Sequence, residues 1–454
     1  MQVTVSSSLS LRPTSRSRAG LKPMRRLLYL GLALVIGAWA QASLRSATPN
    51  DALLLYIIAG ALFAFAAYSP GAWPTLPAYR PWPLPARGLA VASLILGLGA
   101  FVLLWRNQFD RAGFWLWIVS WPLFLVAAFW EERSLASGGE ASSGAAAAGA
   151  GPRSRLARRW EWGILGLIIL VAFAVRVWNL ASIPNGCQSD ECNNGLDALK
   201  WLHGAPYTVY VGTSQGQATL FTYLIALVFK LLGPTVANMR LVSAVMGTLT
   251  VVMLYFVARV FFGPRVALIT SALLATGRWH LTFSRIIYEL IMMPLVELMV
   301  VYFLVRALRG GRRRDWALVG ISLSLGLNTY TAFRVVPFAV GAFLIYWFVT
   351  IFFKSPAGDH TRLRRDLEGV GVMTASAFLS IIPLGIYIVQ NWRGFTTRIN
   401  QMSITNDIQR AGGSWEPFWT GLRKTLLIFH YKGDWAALNN LPNAPLLDAL
   451  VGIL

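Results

Sequence analysis

Apolar runs of roughly 15 to 20 residues recur along almost the whole chain, and a run of that length is what a helix needs to cross the hydrocarbon core of a bilayer. Inside lipid every backbone N–H and C=O must be satisfied within the segment itself, so such runs are read as helices. Composition agrees: 56% of the 454 residues are apolar and only 13% are charged. A soluble globular enzyme and a disordered chain are both excluded, and the fold class is an all-α polytopic membrane protein. The net charge of +21 comes from 40 Lys and Arg against 19 Asp and Glu. In such a chain that excess belongs in cytoplasmic loops rather than on a nucleic acid.

The runs divide the chain. Residues 1–26 are a basic cytoplasmic N-terminus ending in Arg25 and Arg26. Ala38-Trp-Ala40 offers a signal-cleavage alternative, but the long basic region and the segments that follow favour an anchor. Four segments near 27–44, 53–68, 89–105 and 114–130 form an N-terminal module, with a Pro-rich loop, Pro70 to Pro85, in its middle. Residues 131–160 read as a flexible cytoplasmic linker, Ala/Gly/Ser-rich from Ser134 to Gly151. A second module, 161–390, holds segments near 162–180, 218–232, 239–258, 266–283, 288–308, 315–331, 335–353 and 370–390. If all of them crossed, Arg259, Arg265 and the Arg309–Arg314 cluster would lie outside, against the usual charge distribution. A single change restores it: 218–232, the shortest run, does not cross. The basic loops 259–265, 309–314 and 354–368 then fall inside, and 181–238, 284–287, 332–334 and the tail 391–454 fall outside.

On that outer face the few acids of the chain stand out. Asp190 and Glu191 sit about ten residues past Leu180, where they are either solvated loop or cap acids or a functional pair. Asn193 to His203 reads as a short amphipathic helix, at the interface or buried. Between two later segments stands Trp279-His280-Leu-Thr-Phe-Ser284-Arg285-Ile-Ile-Tyr288-Glu289. Arg285 and Glu289 have i, i+4 spacing and pair with each other or serve a site, since charges at a membrane boundary are functional candidates. His280 is a packed interfacial histidine or a ligand; the sequence gathers no set of histidines around it for a metal. Asn328-Thr-Tyr330-Thr-Ala-Phe-Arg334 adds an arginine suited either to snorkelling or to a phosphate. The tail contributes Gly433-Asp434, Asn440-Leu-Pro442 and Asp448 as turn signals.

In this order the pieces resemble the GT-C superfamily of integral-membrane glycosyltransferases, above all the family-39-like branch that holds protein O-mannosyltransferases and aminoarabinose transferases. The resemblance covers about 162–454 and rests on Asp190-Glu191 with the helix after it. Arg240-Leu-Val-Ser-Ala, Phe283-Ser-Arg285 and Gly433-Asp434…Asn440-Leu-Pro442 support it. The chain departs from the branch in reading Gln215-Gly-Gln-Ala-Thr-Leu220 where relatives carry Lys/His-Pro-Pro-Leu, and in offering only Glu289 as the second acid. Relatives continue with more helices, so the sequence reads as truncated at Leu454, where another helix starts. The first four segments have no counterpart in the branch.

The resemblance implies an inverting hexosyl- or pentosyltransferase of the cell membrane, active on the extracytoplasmic face, that takes its sugar from a polyprenyl phosphate. The acceptor hydroxyl belongs to a lipid, glycan or protein, and membrane lipids surround the site. Asp190, Glu191 and Glu289 form the catalytic set with Asp190 as general base, while Arg285, Arg334, Tyr288, Tyr330 and His280 contact substrate. The sequence demands no metal or other cofactor, although the resemblance leaves room for a divalent ion. Cys187 and Cys192 bracket Asp190 on the oxidising side, as a disulfide or as two free thiols. The competing reading is a multi-pass transporter or a lipid-binding membrane protein without catalysis.

Overall fold

A computed structural model describes residues 23–43, 54–62, 82–138, 152–212, 216–354, 361–436 and 440–447. The basic arm before Pro23, most of the Pro-rich loop, the core of the Ala/Gly/Ser linker, Gln215 and the chain end with Asp448 lie outside the described residues.

The described elements are helices, apart from one two-residue hairpin. The N-terminal module supplies α1 (Pro23–Ser43), α2 (54–62), α3 (Leu84–Arg106) and α4 (Arg111–Gly138). The second module begins with α5 (Pro152–Val177) and α6 (Ser189–Leu202). Strands β1 (Tyr210–Val211) and β2 (Gln217–Ala218) pair antiparallel before α7 (Leu220–Leu232). Then come α8 (Val236–Phe262), α9 (Pro264–Thr276), α10 (Arg278–Phe283), α11 (Met292–Gly310) and α12 (Arg313–Leu327). The bundle ends with α13 (Val336–Lys354) and α14 (Thr361–Gln390), and short helices α15 (Trp392–Gln401), α16 (Ile404–Arg410) and α17 (Glu416–Leu427) follow. Helix therefore enters the expected linker from both sides, since α4 runs to Gly138 and α5 starts at Pro152.

Among the described residues seven helices are long and apolar enough to span a membrane, as the polytopic reading requires. α7 and α9, at 13 residues each, rise only about 20 Å and are too short to do so alone. Length cannot separate these two, but contacts do. Thr222 near the start of α7 bonds Asn194 of α6, and Arg240, just beyond its end, bonds Glu191 of the same helix. These bonds hold the start of α7 and the first turns of α8 to neighbouring residues of α6. α9 is instead prolonged past Gly277 by α10.

Side-chain contacts sort the loops into the same two sets as the charge argument. At one end Arg259 pairs with Glu161 at 2.7 Å, Arg309 donates to the Val260 carbonyl at 2.9 Å, and Arg313 pairs with Glu368 at 2.9 Å. At the other, Arg240 donates to the Pro184 carbonyl at 2.8 Å, Arg334 to the Phe395 carbonyl at 2.7 Å, and Gln108 bonds Gln390 at 2.7 Å.

The two modules share their interior. Leu104 of α3 and Phe124 and Ala128 of α4 belong to one apolar core with Val300, Trp316, Val340 and Leu379. Glycines let the helices close up: a β-carbon on Gly97 would stand 2.2 Å from Leu379 Cδ2, and one on Gly320 2.1 Å from the Met373 carbonyl oxygen. The indole of Trp117 adds a 3.0 Å bond to the Leu379 carbonyl.

Candidate active site

The site grows from the first turn of α6. Asp190 and Glu191, expected in a loop, lie inside the helix because Gln188 serves as N-cap and Glu191 closes a capping box onto the Gln188 N–H at 3.3 Å. Successive helical residues point about 100° apart, so the two acids face different surroundings. Glu191 turns inward and meets Arg240 of α8, with Nε donating to Oε1 at 3.1 Å and Nη2 to Oε2 at 2.9 Å. Both side chains are at most 1% exposed. Arg240 also donates to the Leu180, Pro184 and Gly186 carbonyls, and the Ile287 N–H donates to Glu191 at 2.9 Å. A buried pair of this kind endures only when its remaining donors and acceptors are satisfied, and here they are. Glu191 is thereby a positioning residue that ties the exit of α5, α6, α8 and the 285–289 turn together.

Asp190 is only partly buried, and the Tyr288 hydroxyl approaches its Oδ2 at 3.5 Å. Burial first, and then the neighbouring Asp190 charge, push the Tyr288 phenol up to about 12, so at neutral pH it is a proton donor toward the carboxylate. Glu289 follows Tyr288, and its carboxyl lies in the combined field of Asp190 and Arg398 of α15. The i, i+4 pairing of Arg285 with Glu289 is not seen. The Asn194 side chain holds the Asp190 carbonyl at 3.2 Å and accepts from Gln217 at 2.7 Å, which fixes the hairpin against α6.

Both arginines expected at a substrate phosphate are otherwise engaged. Arg285 is 9% exposed and spends its η-nitrogens on four carbonyls, those of Val175, Arg176, Trp178 and Ile183, at 2.6 to 3.0 Å. It clamps the C-terminus of α5, where a cation also complements the helix dipole. Arg334 donates to the Phe395 carbonyl and stacks 3.5 Å from the centre of the Phe395 ring. That contact fastens α15 to the bundle. Arg398 stands three residues beyond Phe395 on the same helix, near enough to Glu289 for its charge to act on that carboxyl. His280 is drawn not to Asp190 but to the buried Arg176, whose Nη2 donates to its Nδ1 at 3.0 Å. α8 comes so near this packing that a β-carbon on Gly247 would lie 2.1 Å from Ser284 Oγ. Tyr330, half-buried, opens the 3₁₀ turn that carries Arg334, and its carbonyl accepts from the Phe333 N–H at 3.0 Å.

Cys187 and Cys192 are joined by a disulfide across the first turn of α6. Alkylation of the denatured protein is expected to label neither cysteine before reduction and both after it; labelling without reductant would exclude the bond. The tail folds back as well, with Arg278 of α10 donating to the Pro445 carbonyl at 2.5 Å and Asn443 N–H to the Asp434 carbonyl at 2.9 Å. Gly433 is required there, because a β-carbon would fall 2.0 Å from the Ala444 carbonyl oxygen. Among the described residues no group of three or more His, Cys, Asp and Glu side chains is gathered as a metal would need. Asp190 and Glu289, near Tyr288, are two such acids rather than three.

The class is thus an α-helical, multi-pass membrane protein with a carboxylate and arginine site at one end of its bundle. Residues 217–354 match the family model described as dolichyl-phosphate-mannose-protein mannosyltransferase. The match runs from β2 to the end of α13 and supports a membrane glycosyltransferase of the GT-C type. It leaves out the α6 turn with Asp190 and the helix with Arg398. No curated protein and no solved structure matches the chain.

Proposed function

We propose that the chain transfers a sugar from a polyprenyl-phosphate donor to a hydroxyl acceptor, with inversion, at the extracytoplasmic end of the bundle in the cell membrane. The observation that carries this reading is the division of labour in the α6 turn: Glu191 is locked away, while Asp190 remains reachable beside Tyr288, Glu289 and the charge of Arg398. A hydroxyl is a weak nucleophile, so a carboxylate within hydrogen-bond reach is needed to take its proton as it attacks. Asp190 takes that proton as the acceptor oxygen bonds to the anomeric carbon and the bond from that carbon to the phosphate oxygen breaks. The departing lipid phosphate gains charge, which a fixed cation stabilises more in the transition state than in the ground state. Arg398 fills that role in place of Arg285, and Glu289 orients the acceptor hydroxyl.

Membranes or detergent-purified protein incubated with labelled polyprenyl-phosphate mannose, the donor class that the family match suggests, should move label to an acceptor and release polyprenyl phosphate. Arg398→Gln should slow transfer about 10- to 100-fold, the loss of one charge-assisted contact in the transition state. No transfer above the heat-denatured control across a panel of polyprenyl-phosphate sugars would overturn the reading.

A further inference from the structure

A cavity of about 950 Å³ lies between the N-terminal module and the core, and neither Asp190 nor Tyr288 lines it. Its walls are apolar and aromatic, with Trp117 and Trp121 of α4 facing Leu220, Leu325 and Leu384 of the second module. One end is lined by Gln108 and Arg111 from the turn between α3 and α4, and by Asn328 at the end of α12. Gln108 also bonds Gln390 at the end of α14, and Thr208, on the rim beside Tyr207, takes the Thr219 hydroxyl on its carbonyl at 2.6 Å. These contacts place the polar end at the same end of the bundle as Asp190.

Three features define the occupant. From Arg111 at the rim to Trp121 is ten residues of α4, about 15 Å of depth, which is half the hydrocarbon thickness of a bilayer and so one leaflet. The walls along that depth are mainly apolar and aromatic, and Trp117, Thr219 and Tyr223 spend their polar atoms on the Leu379 and Thr208 carbonyls, which suits a hydrocarbon chain better than a sugar or peptide. Arg111 is exposed at the mouth and forms no ion pair among the described residues, while the adjacent Asp110 is occupied in capping α4 through the Gly113 N–H at 2.6 Å. The mouth is therefore a cation above an apolar slot.

We infer that α3 and α4 build a binding site for an anionic phospholipid of that leaflet, with a chain between Trp121 and Leu384 and its phosphate at Arg111. This gives the N-terminal pair a role of its own, independent of the transfer chemistry. The test uses the full-length protein in nanodiscs doped with photoreactive phosphatidylglycerol, phosphatidylcholine or polyprenyl phosphate, followed by peptide mapping. Phosphatidylglycerol should label peptides spanning 107–121 and 321–328 in preference to phosphatidylcholine. Arg111→Gln, a surface change, should reduce that labelling about five-fold, the contribution of one arginine at an anionic lipid surface. Ser380→Trp, which fills the slot, should abolish it. Equal labelling by the two phospholipids, indifference to Arg111→Gln, or labelling by polyprenyl phosphate alone would each overturn the assignment. The readout is binding, so it stands or falls separately from sugar transfer.

Discussion

Replacing Asp190 by Asn is expected to lower sugar transfer by about 10²- to 10⁴-fold, the usual contribution of a positioned general base. The exchange keeps size and shape and removes only the ability to hold a proton. Thermal unfolding in detergent should move little, because Glu191, Arg240 and the Gln188 cap supply the buried bonds that fasten the α6 turn, and Asn keeps an oxygen for the Tyr288 hydroxyl. Steady-state turnover and a melting curve on the same preparation decide the matter. Turnover within about threefold of the parent would remove Asp190 from the role of base.

Glu191 is expected to behave in the opposite way. Glu191→Ala leaves Arg240 charged in a dry interior, with a side chain that is 0% exposed. Breaking one partner of such a pair costs about 3 to 5 kcal/mol. The variant should therefore lose melting temperature and yield together, and Arg240→Met should do the same. The double variant Glu191→Met/Arg240→Met should recover part of the loss, since no buried charge then remains unpaired. Equal melting temperatures for the parent and Glu191→Ala would show that this node does not hold the α6 turn.

These opposite expectations for adjacent acids mark where the sequence stops being readable. Seven spanning helices were legible because hydrocarbon thickness sets their length, whereas the segments expected to cross at 266–283 and 315–331 hold the shorter helices α9 and α12. The grouping of loops followed from where Arg259, Arg309 and Arg313 are placed. The shortness of α7 was legible from the length of its apolar run. Which acid of the Asp190-Glu191 pair turns inward was not, because it depends on a cap at Gln188 and on Arg240, 49 residues beyond Glu191 along the chain. Arg285 and His280 looked like ligands because an arginine and a histidine at a membrane rim fit that description. Only the fold shows carbonyls saturating one and Arg176 holding the other. Arg398 was overlooked among the tail's basic residues. Its signal was Phe395 three residues earlier, an apolar anchor on the same face of a short polar helix.

The shared interior of the two halves has an architectural consequence. With Leu104 and Phe124 seated beside Val300 and Leu379, the two halves are fused at their faces, whatever joins α4 to α5. Shortening the protein between those helices to obtain a minimal enzyme would strip α14 of its cover and leave an oily furrow along it, so the smallest unit that keeps its shape includes both halves.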